Sequence, residues 1–512
     1  MTLAKAHSTL VTTILLSALS GLGTAVGIGA QLSIIRELGV GVPSDIYFVG
    51  LSAPLLAIGV ISGSISYSLV PALVKARVAG YRFKTAHRPF LRKSASITVV
   101  GLLLGLGLSY TQANLRAIQA PIGNEILIVA ALGWLCVAIA TLTALMSAIL
   151  HAEGLFVLPA AVSHLPQFFT LVWCLVANVT PSQAAAALTL GQATAVLAIG
   201  WRCLPLLKSN SPSIFWALKE CRGWVWVIAS MLIFVSFGTI DSIVAAGMGA
   251  GSVSSLSYGQ RMAVNLAGVV VNSIGVIMLP VFSKLAAEND WVGLSFHLGR
   301  TFRMVIVALF CPAATIFALH RELISLLLYG TSLRLEEQSL LANSICSLVW
   351  GVIPMSCATI LFRALYAQAS NRVAGFISLM GVALYFGGSL LVVGLGFGVE
   401  GVGAVYGLVW TVVITLGARY VGVGYSWRVI ASHGCRLTLQ IGLALSVVFS
   451  ALWFLRSSGL VTGSSVVRDL LIVALGTSLA VVAYTTILFI IGNREVMDLL
   501  QHFRTRVFQR FD

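Results

Sequence analysis

Fourteen stretches of this chain are apolar for long enough to cross a lipid bilayer, and that restricts what it can fold into more than any motif does. A spanning helix needs about 20 apolar residues, because roughly 30 Å of hydrocarbon is covered at about 1.5 Å per residue. The stretches run approximately over 8–34, 46–74, 95–110, 126–150, 155–179, 184–207, 224–249, 254–283, 303–329, 339–366, 373–395, 401–424, 437–456 and 469–492. The third is short, and the ninth is expected to end near His320 with an interfacial segment after it. Of the 512 residues, 58% are hydrophobic and 9% charged. A soluble domain carries about 25% charged residues, and a chain so poor in them cannot cover its surface with groups that water solvates. A soluble multidomain enzyme, a nucleic-acid-binding protein and a secreted disulfide scaffold are therefore disfavoured. The expected fold class is an all-α integral membrane protein. The first stretch, preceded by Lys5, continues well past the 7–15 residues of a signal-peptide core and is read as a retained span.

The net charge of +15 records topology rather than a nucleic-acid partner. With fourteen spans both termini share one side, and the connections fall into two alternating sets. One set holds 24 of the 31 Lys and Arg residues and the other holds five, Arg36, Arg116, Arg334, Arg456 and Arg468. Cytoplasmic connections carry the excess of basic residues. Both termini are therefore expected in the cytoplasm. The connection 75–93 has seven basic residues and no acid, which makes it a strong topology determinant.

No pair of the eight cysteines has C-x-x-C spacing, so neither a disulfide framework nor a zinc site is indicated. His164 lies within a span without a histidine cluster and is read as a packed polar residue, so no metal site is assigned. No phosphate-binding G-x-x-x-x-G-K-[ST] loop is present. Prolines at 54, 71, 159, 166, 205, 280, 312 and 354 are expected to bend their spans.

An internal repeat organises the spans. Ser64, Ile65, Pro71 and Lys75 at the end of span 2 recur as Ser273, Ile274, Pro280 and Lys284 at the end of span 8. The constant offset of 209 also matches Gly50 to Gly259 and Gly59 to Gly268. Six spans separate the copies, so both run in the same direction and an axis along the membrane normal should relate the halves. The expected architecture is two six-helix lobes around a central cavity plus two C-terminal helices. The N-terminal lobe covers 1–207, a cytoplasmic linker 208–223, the C-terminal lobe 224–424, the last two helices 425–492 and a basic tail 493–512.

Several segments, in order, resemble the bacterial lipid II flippase family called MurJ or MviN, of the multidrug/oligosaccharidyl-lipid/polysaccharide (MOP) exporter superfamily. They are Ser44-Asp45-Ile46-Tyr47-Phe48-Val49 with Pro54, Gly63 to Pro71, and Asp241-Ser242-Ile243. Gly251-Ser252-Val253-Ser254, Tyr258-Gly259-Gln260-Arg261, Leu279-Pro280 and Lys284-Leu285-Ala286 follow, then Leu328-Tyr329-Gly330, Arg363 to Ala367 and Asn371-Arg372. The resemblance implies a groove for a lipid tail at helices 13 and 14. It also implies an undecaprenyl-pyrophosphate-linked sugar as cargo, moved from the inner to the outer leaflet. The cavity arginines expected from helices 1 and 2 are replaced by Thr24, Ala30 and Ile58 or Gly59, and of that set Arg261 is kept. A pyrophosphate buried away from water needs cationic partners, so an exopolysaccharide or O-antigen repeat unit stands beside lipid II as cargo.

Charges inside the membrane are functional candidates by default. Asp241 and Arg261 each lie about 12 Å below the outer ends of spans 7 and 8. The spans are sequential and antiparallel, so an ion pair is expected, with Arg261 binding pyrophosphate and Asp241 holding either Arg261 or a coupling cation, Na+ or H+, when the cavity is empty. Arg36, Glu37 and Asp45 at the junction of spans 1 and 2 are either N-terminal caps or an outer gate. Arg321-Glu322 is read as interfacial. No other cofactor is expected, and the chain is not expected to be an enzyme, since the longest outer connection, 111–125, offers Glu125 as its one acid. Envelope glycosyltransferases are candidate partners alongside membrane lipids. A MATE-like cation-coupled drug antiporter and a non-transporting scaffold with the same fold are the alternatives. Reporters inserted after Asn289 should read out as cytoplasmic and after Thr331 as external, and reversal at both sites would remove the fourteen-span topology.

Overall fold

The computed structural model describes residues 3–78, 120–207, 224–421 and 465–490, apart from Gly154, Gly330, Ser332 and Ala369, together with Ser446 and Ser450. Fifteen helices and no strands occur among the described residues: α1 (Leu3–Leu38), α2 (Val42–Val78), α3 (Ala120–Ala152), α4 (Val157–Val162), α5 (Leu165–Val176), α6 (Pro181–Leu207), α7 (Trp224–Val235), α8 (Phe237–Ala245), α9 (Ser252–Ala287), α10 (Trp291–Leu327), α11 (Leu335–Val349), α12 (Val352–Ala367), α13 (Asn371–Gly394), α14 (Gly398–Ala418) and α15 (Ser465–Ile490). Eight spans are unbroken or nearly so, and two further pairs, α7 with α8 and α11 with α12, bring the number to as many as ten by length and apolarity. The all-α membrane fold expected from the sequence is what the structure has. Spans 3 and 13, the connection 75–93 beyond Val78, the linker 208–223 and the tail 493–512 lie outside the described residues.

The chain divides into two compact units, Met1–Asn265 with Asn371–Val402 and Leu266–Ser370 with Gly403–Asp512. In the first unit α2 is the hub, packed against α3, α6, α7 and α8. Lipid tails are as apolar as leucine, so helices in a bilayer associate through close packing and polar contacts rather than by escaping water. Small residues set the approach. Gly59 and Gly63 form a G-x-x-x-G pair on α2, and a side chain at either would run into Val235 or Met231 of α7. Gly191 lets α6 approach the backbone of α5 at Leu165 and Pro166, and Gly375 does the same for α13 against Trp226 of α7. Further along the same helices, Ile65, Leu69, Ile149, Leu150, Ile199 and Cys203 form one continuous core.

In the second unit α10 packs against α11, α12 and α15. Asp290 caps α10, its carboxylate accepting from the Gly293 amide at 2.8 Å. Two contacts bind α15 to α10. Tyr484 donates to the Val307 carbonyl at 3.1 Å, and Ser325 donates to the buried Asp469 carboxylate at 2.8 Å. Gly351 and Gly403 clear space for Tyr406 and Ser347, seating the break between α11 and α12 against α14.

Some bends lie beside the prolines and others do not. α2 runs as one helix through Pro54 and Pro71. The 50° bend between α7 and α8 is centred on Ser236 and the 45° bend between α11 and α12 on Trp350-Gly351. Pro166 and Pro354 each sit in the first turn of the helix after a break, where a proline loses no intrahelical bond. α10 kinks at Leu319, whose backbone is non-helical, beside His320, the expected end of span 9, and seven residues past Pro312, and a short helical segment continues to Leu327.

Filling the α2–α7 contact tests the packing. Gly59→Leu should lower the melting temperature markedly, through overpacking of about 1–3 kcal/mol, whereas Gly41→Leu, where nothing lies within 4 Å of the added carbon, should change it little.

Candidate functional site

The outer end of the first unit is built where two helices begin. α1 stops at Gly39, which takes the left-handed conformation (φ 72°) that only glycine adopts without cost. Ser44 organises the start of α2. Its hydroxyl accepts from the Gly41 amide at 3.1 Å and donates to the Gly41 carbonyl at 3.0 Å. This frees Asp45, and the structure sends its carboxylate to another helix. One oxygen accepts from the Gly251 amide at 2.7 Å and the other from the Ser254 amide at 2.8 Å. Asp45 thus caps α9 rather than its own helix. Ser254 lies 209 residues after Asp45, the offset of the internal repeat, so equivalent helix starts meet across one carboxylate. A carboxylate favours the positive end of a helix dipole and satisfies otherwise orphaned amides. Gly249 (φ 110°) and Gly251 (φ 87°) make the turn into α9, and Val40 packs against Gly251.

Arg36 is exposed and Glu37 half-buried, and the Asp45 carboxylate is occupied by the α9 amides rather than by either. Of the three residues expected as an outer gate, the structure brings Asp45 to another span, while Glu37 lies near Cys174 of α5.

Asp241 and Arg261 do not form the expected ion pair. Asp241 is fully buried, and its Oδ1 accepts from the Tyr385 hydroxyl of α13 at 2.5 Å. Phe237, one turn earlier, stacks on the Tyr385 ring at 4.0 Å between centroids and 20° between planes. The Asp241 Oδ2 has no hydrogen-bond partner among the described residues. The bend at Ser236 turns α8 away from the line of α7, so depth counted along a straight helix misplaces the carboxylate. α13 and α2 hold the bend. Ser378 accepts from the Ile233 amide at 3.0 Å, and Thr239 donates to the Ser52 carbonyl at 3.0 Å.

Arg261 points to α2 instead. Its guanidinium carbon lies 4.8 Å from the centroid of the Phe48 ring, and the guanidinium also acts on the buried phenols of Tyr47 and Tyr258. Phe48 makes edge-to-face contacts with both tyrosines, at 5.2 and 4.8 Å. Arg261 is half-buried and forms no ion pair among the described residues. A cation on aromatic faces with no carboxylate beside it keeps N–H donors for an anion.

Of the positions that replace the expected cavity arginines, Ala30 is buried, and Gly59 is closed by Val235 of α7. His164 lies at the break between α4 and α5 with its ring over Gly23, in space a side chain there would need. Among the described residues no cluster of three metal-ligating side chains occurs. Sequence reading missed Tyr385, which no motif marks, and Phe48 as the platform for Arg261. The G-x-x-x-G of α2 was a usable signal for the sealed position at Gly59.

The helix arrangement is shared with solved structures of multi-pass membrane transporters. It matches a solved structure described as lipid II flippase MurJ in an inward closed conformation, with TM-score 0.74 and 14% identity over 93% of this chain and 99% of that one. It also matches an inward-facing multidrug resistance MATE family transporter of the MOP superfamily (TM-score 0.63, 14% identity, 80% of this chain and 98% of that one). A MATE transporter in complex with MaL6 follows, with TM-score 0.61 and 15% identity over 80% of this chain and 95% of that one. No curated protein matches the chain in sequence. The family model of lipid II flippase MurJ matches residues 34–474. The chain belongs to that family of lipid II flippases.

A double-mutant cycle checks the buried contact. Tyr385→Phe and Asp241→Asn should each destabilise the protein by about 1.5–3 kcal/mol, as for a hydrogen bond to a charged group, and the double variant by less than their sum. Additive losses in melting measurements would mean that the two groups are uncoupled.

Proposed function

We propose that the chain flips an undecaprenyl-pyrophosphate-linked oligosaccharide from the inner to the outer leaflet of the bacterial cytoplasmic membrane by alternating access. The cargo is lipid II or an exopolysaccharide or O-antigen repeat unit. Both termini are cytoplasmic, and two six-helix lobes rock about the site. The observation that carries the reading is Arg261, a half-buried guanidinium without a carboxylate partner among the described residues, on the helix whose outer end Asp45 caps. A pyrophosphate carries about two negative charges at neutral pH, and a guanidinium binds such oxygens through its fork of N–H donors. The remaining membrane-embedded positions read for cations hold Thr24, Ala30 and Ile58 or Gly59, so one arginine serves the headgroup and the sugars supply further contacts.

Asp45 serves as the outer gate in this reading. While its carboxylate spans the starts of α2 and α9, cargo has no outward path between them. Asp241 serves the drive. Its unpartnered oxygen beside Tyr385 is the place for a coupling cation, H+ or Na+, which would neutralise the carboxylate and relax the bend at Ser236.

Native mass spectrometry of the protein from its own host tests the cargo. A polyprenyl-pyrophosphate oligosaccharide should be retained by the natural protein and lost from Arg261→Ala at unchanged melting temperature. Recovery of phospholipid alone, with no movement of such a lipid in vesicles, would overturn the proposal.

A further inference from the structure

Arg261 is held by the same helix end that the gate ties down. Phe48 lies three residues after Asp45 on α2, so the carboxylate that caps α9 and the ring under the guanidinium are almost one helical turn apart. Asp45 binds the first residues of α9 and Phe48 faces Arg261 further down it. The two contacts are stacked along one α2–α9 seam. Tyr47 and Tyr258 are wholly buried, and each packs edge-to-face with Phe48.

We propose that Phe48 is a positioning residue that makes the affinity of Arg261 for a pyrophosphate depend on closure of the outer gate. This rests on the reading of Arg261 as the pyrophosphate site. An arginine side chain has many rotamers, and fixing them when a ligand arrives weakens binding. A guanidinium seated on an aromatic face has that ordering done in advance, and its N–H edge remains open to phosphate oxygens. The platform exists while α2 lies against α9. Release of the Asp45 cap lets the outer end of α2 leave α9 and takes Phe48 with it, so the site loses its ordering as the outward path opens. Cargo is then held tightly with the gate shut and loosely with it open, as unloading into the outer leaflet requires. By reciprocity, bound cargo favours the closed seam to the same extent.

The test measures binding of undecaprenyl pyrophosphate to the full-length protein in nanodiscs, with melting temperature recorded for each variant. Phe48→Leu should weaken binding roughly five- to tenfold, the range for loss of one partly desolvated cation–π contact, and Phe48→Trp should restore most of it. Asp45→Ala is the sharper variant. Removing an anion near an anionic ligand should tighten binding by simple electrostatics, whereas loss of the platform should weaken it by a factor comparable to Phe48→Leu. The double variant Asp45→Ala with Phe48→Leu should be little worse than either alone, because both act through one seam. Natural affinity in Phe48→Leu, or tighter binding in Asp45→Ala, would overturn the coupling while leaving Arg261 as the site, provided Arg261→Ala fails to bind. Absence of binding to the natural protein would overturn both readings together.

Discussion

A single carboxylate lies between two helix starts, and the outer end of the first unit depends on it. Helices that begin side by side bring two positive dipole ends and several unsatisfied amides to one place. Ser44 satisfies the start of α2 locally, while Asp45 reaches across to the Gly251 and Ser254 amides of α9. Each such charge-assisted bond is stronger than a neutral one, and both are lost together when the helices part. A contact with those properties switches rather than stretches. The aromatic cluster of Tyr47, Phe48 and Tyr258 follows it along the same helix pair.

Deeper in the membrane, association depends on what glycine removes and what buried polar groups add. Gly59 and Gly63 let α7 lie against α2, and Ser378 and Tyr385, seven residues apart on one side of α13, stitch α13 to the backbone of α7 and the carboxylate of α8. The break at Ser236 is where these meet. A span broken within the membrane is tolerated because neighbouring helices satisfy its freed backbone groups, and the break brings the Asp241 carboxylate to the Tyr385 hydroxyl.

Membership of the lipid II flippase family and the altered cavity positions pull in different directions, and the packing reconciles them. At Gly59 the space a side chain would need is taken by Val235 of α7. In the proposed reading the headgroup interaction rests on Arg261, which makes the ordering of that one guanidinium count for more. A site with several arginines tolerates loose ones, whereas a site with a single arginine gains much from a ring that holds it in place.

The all-helical membrane class, the span positions and the candidate charges were legible in the sequence, because hydrocarbon thickness and the cost of unsatisfied polar groups act on each segment by itself. The repeat offset was legible too, and it connects Asp45 with Ser254. Partners were not legible. Whether Asp45 caps its own helix or α9, and whether Asp241 meets Arg261 or Tyr385, depends on how segments distant in sequence lie together. The bend at Ser236 made the difference for Asp241, and it carries no proline. Depth in a bilayer follows from counting residues along one helix, but the direction in which a side chain points follows from the helices packed around it, and that information resides in the tertiary structure alone.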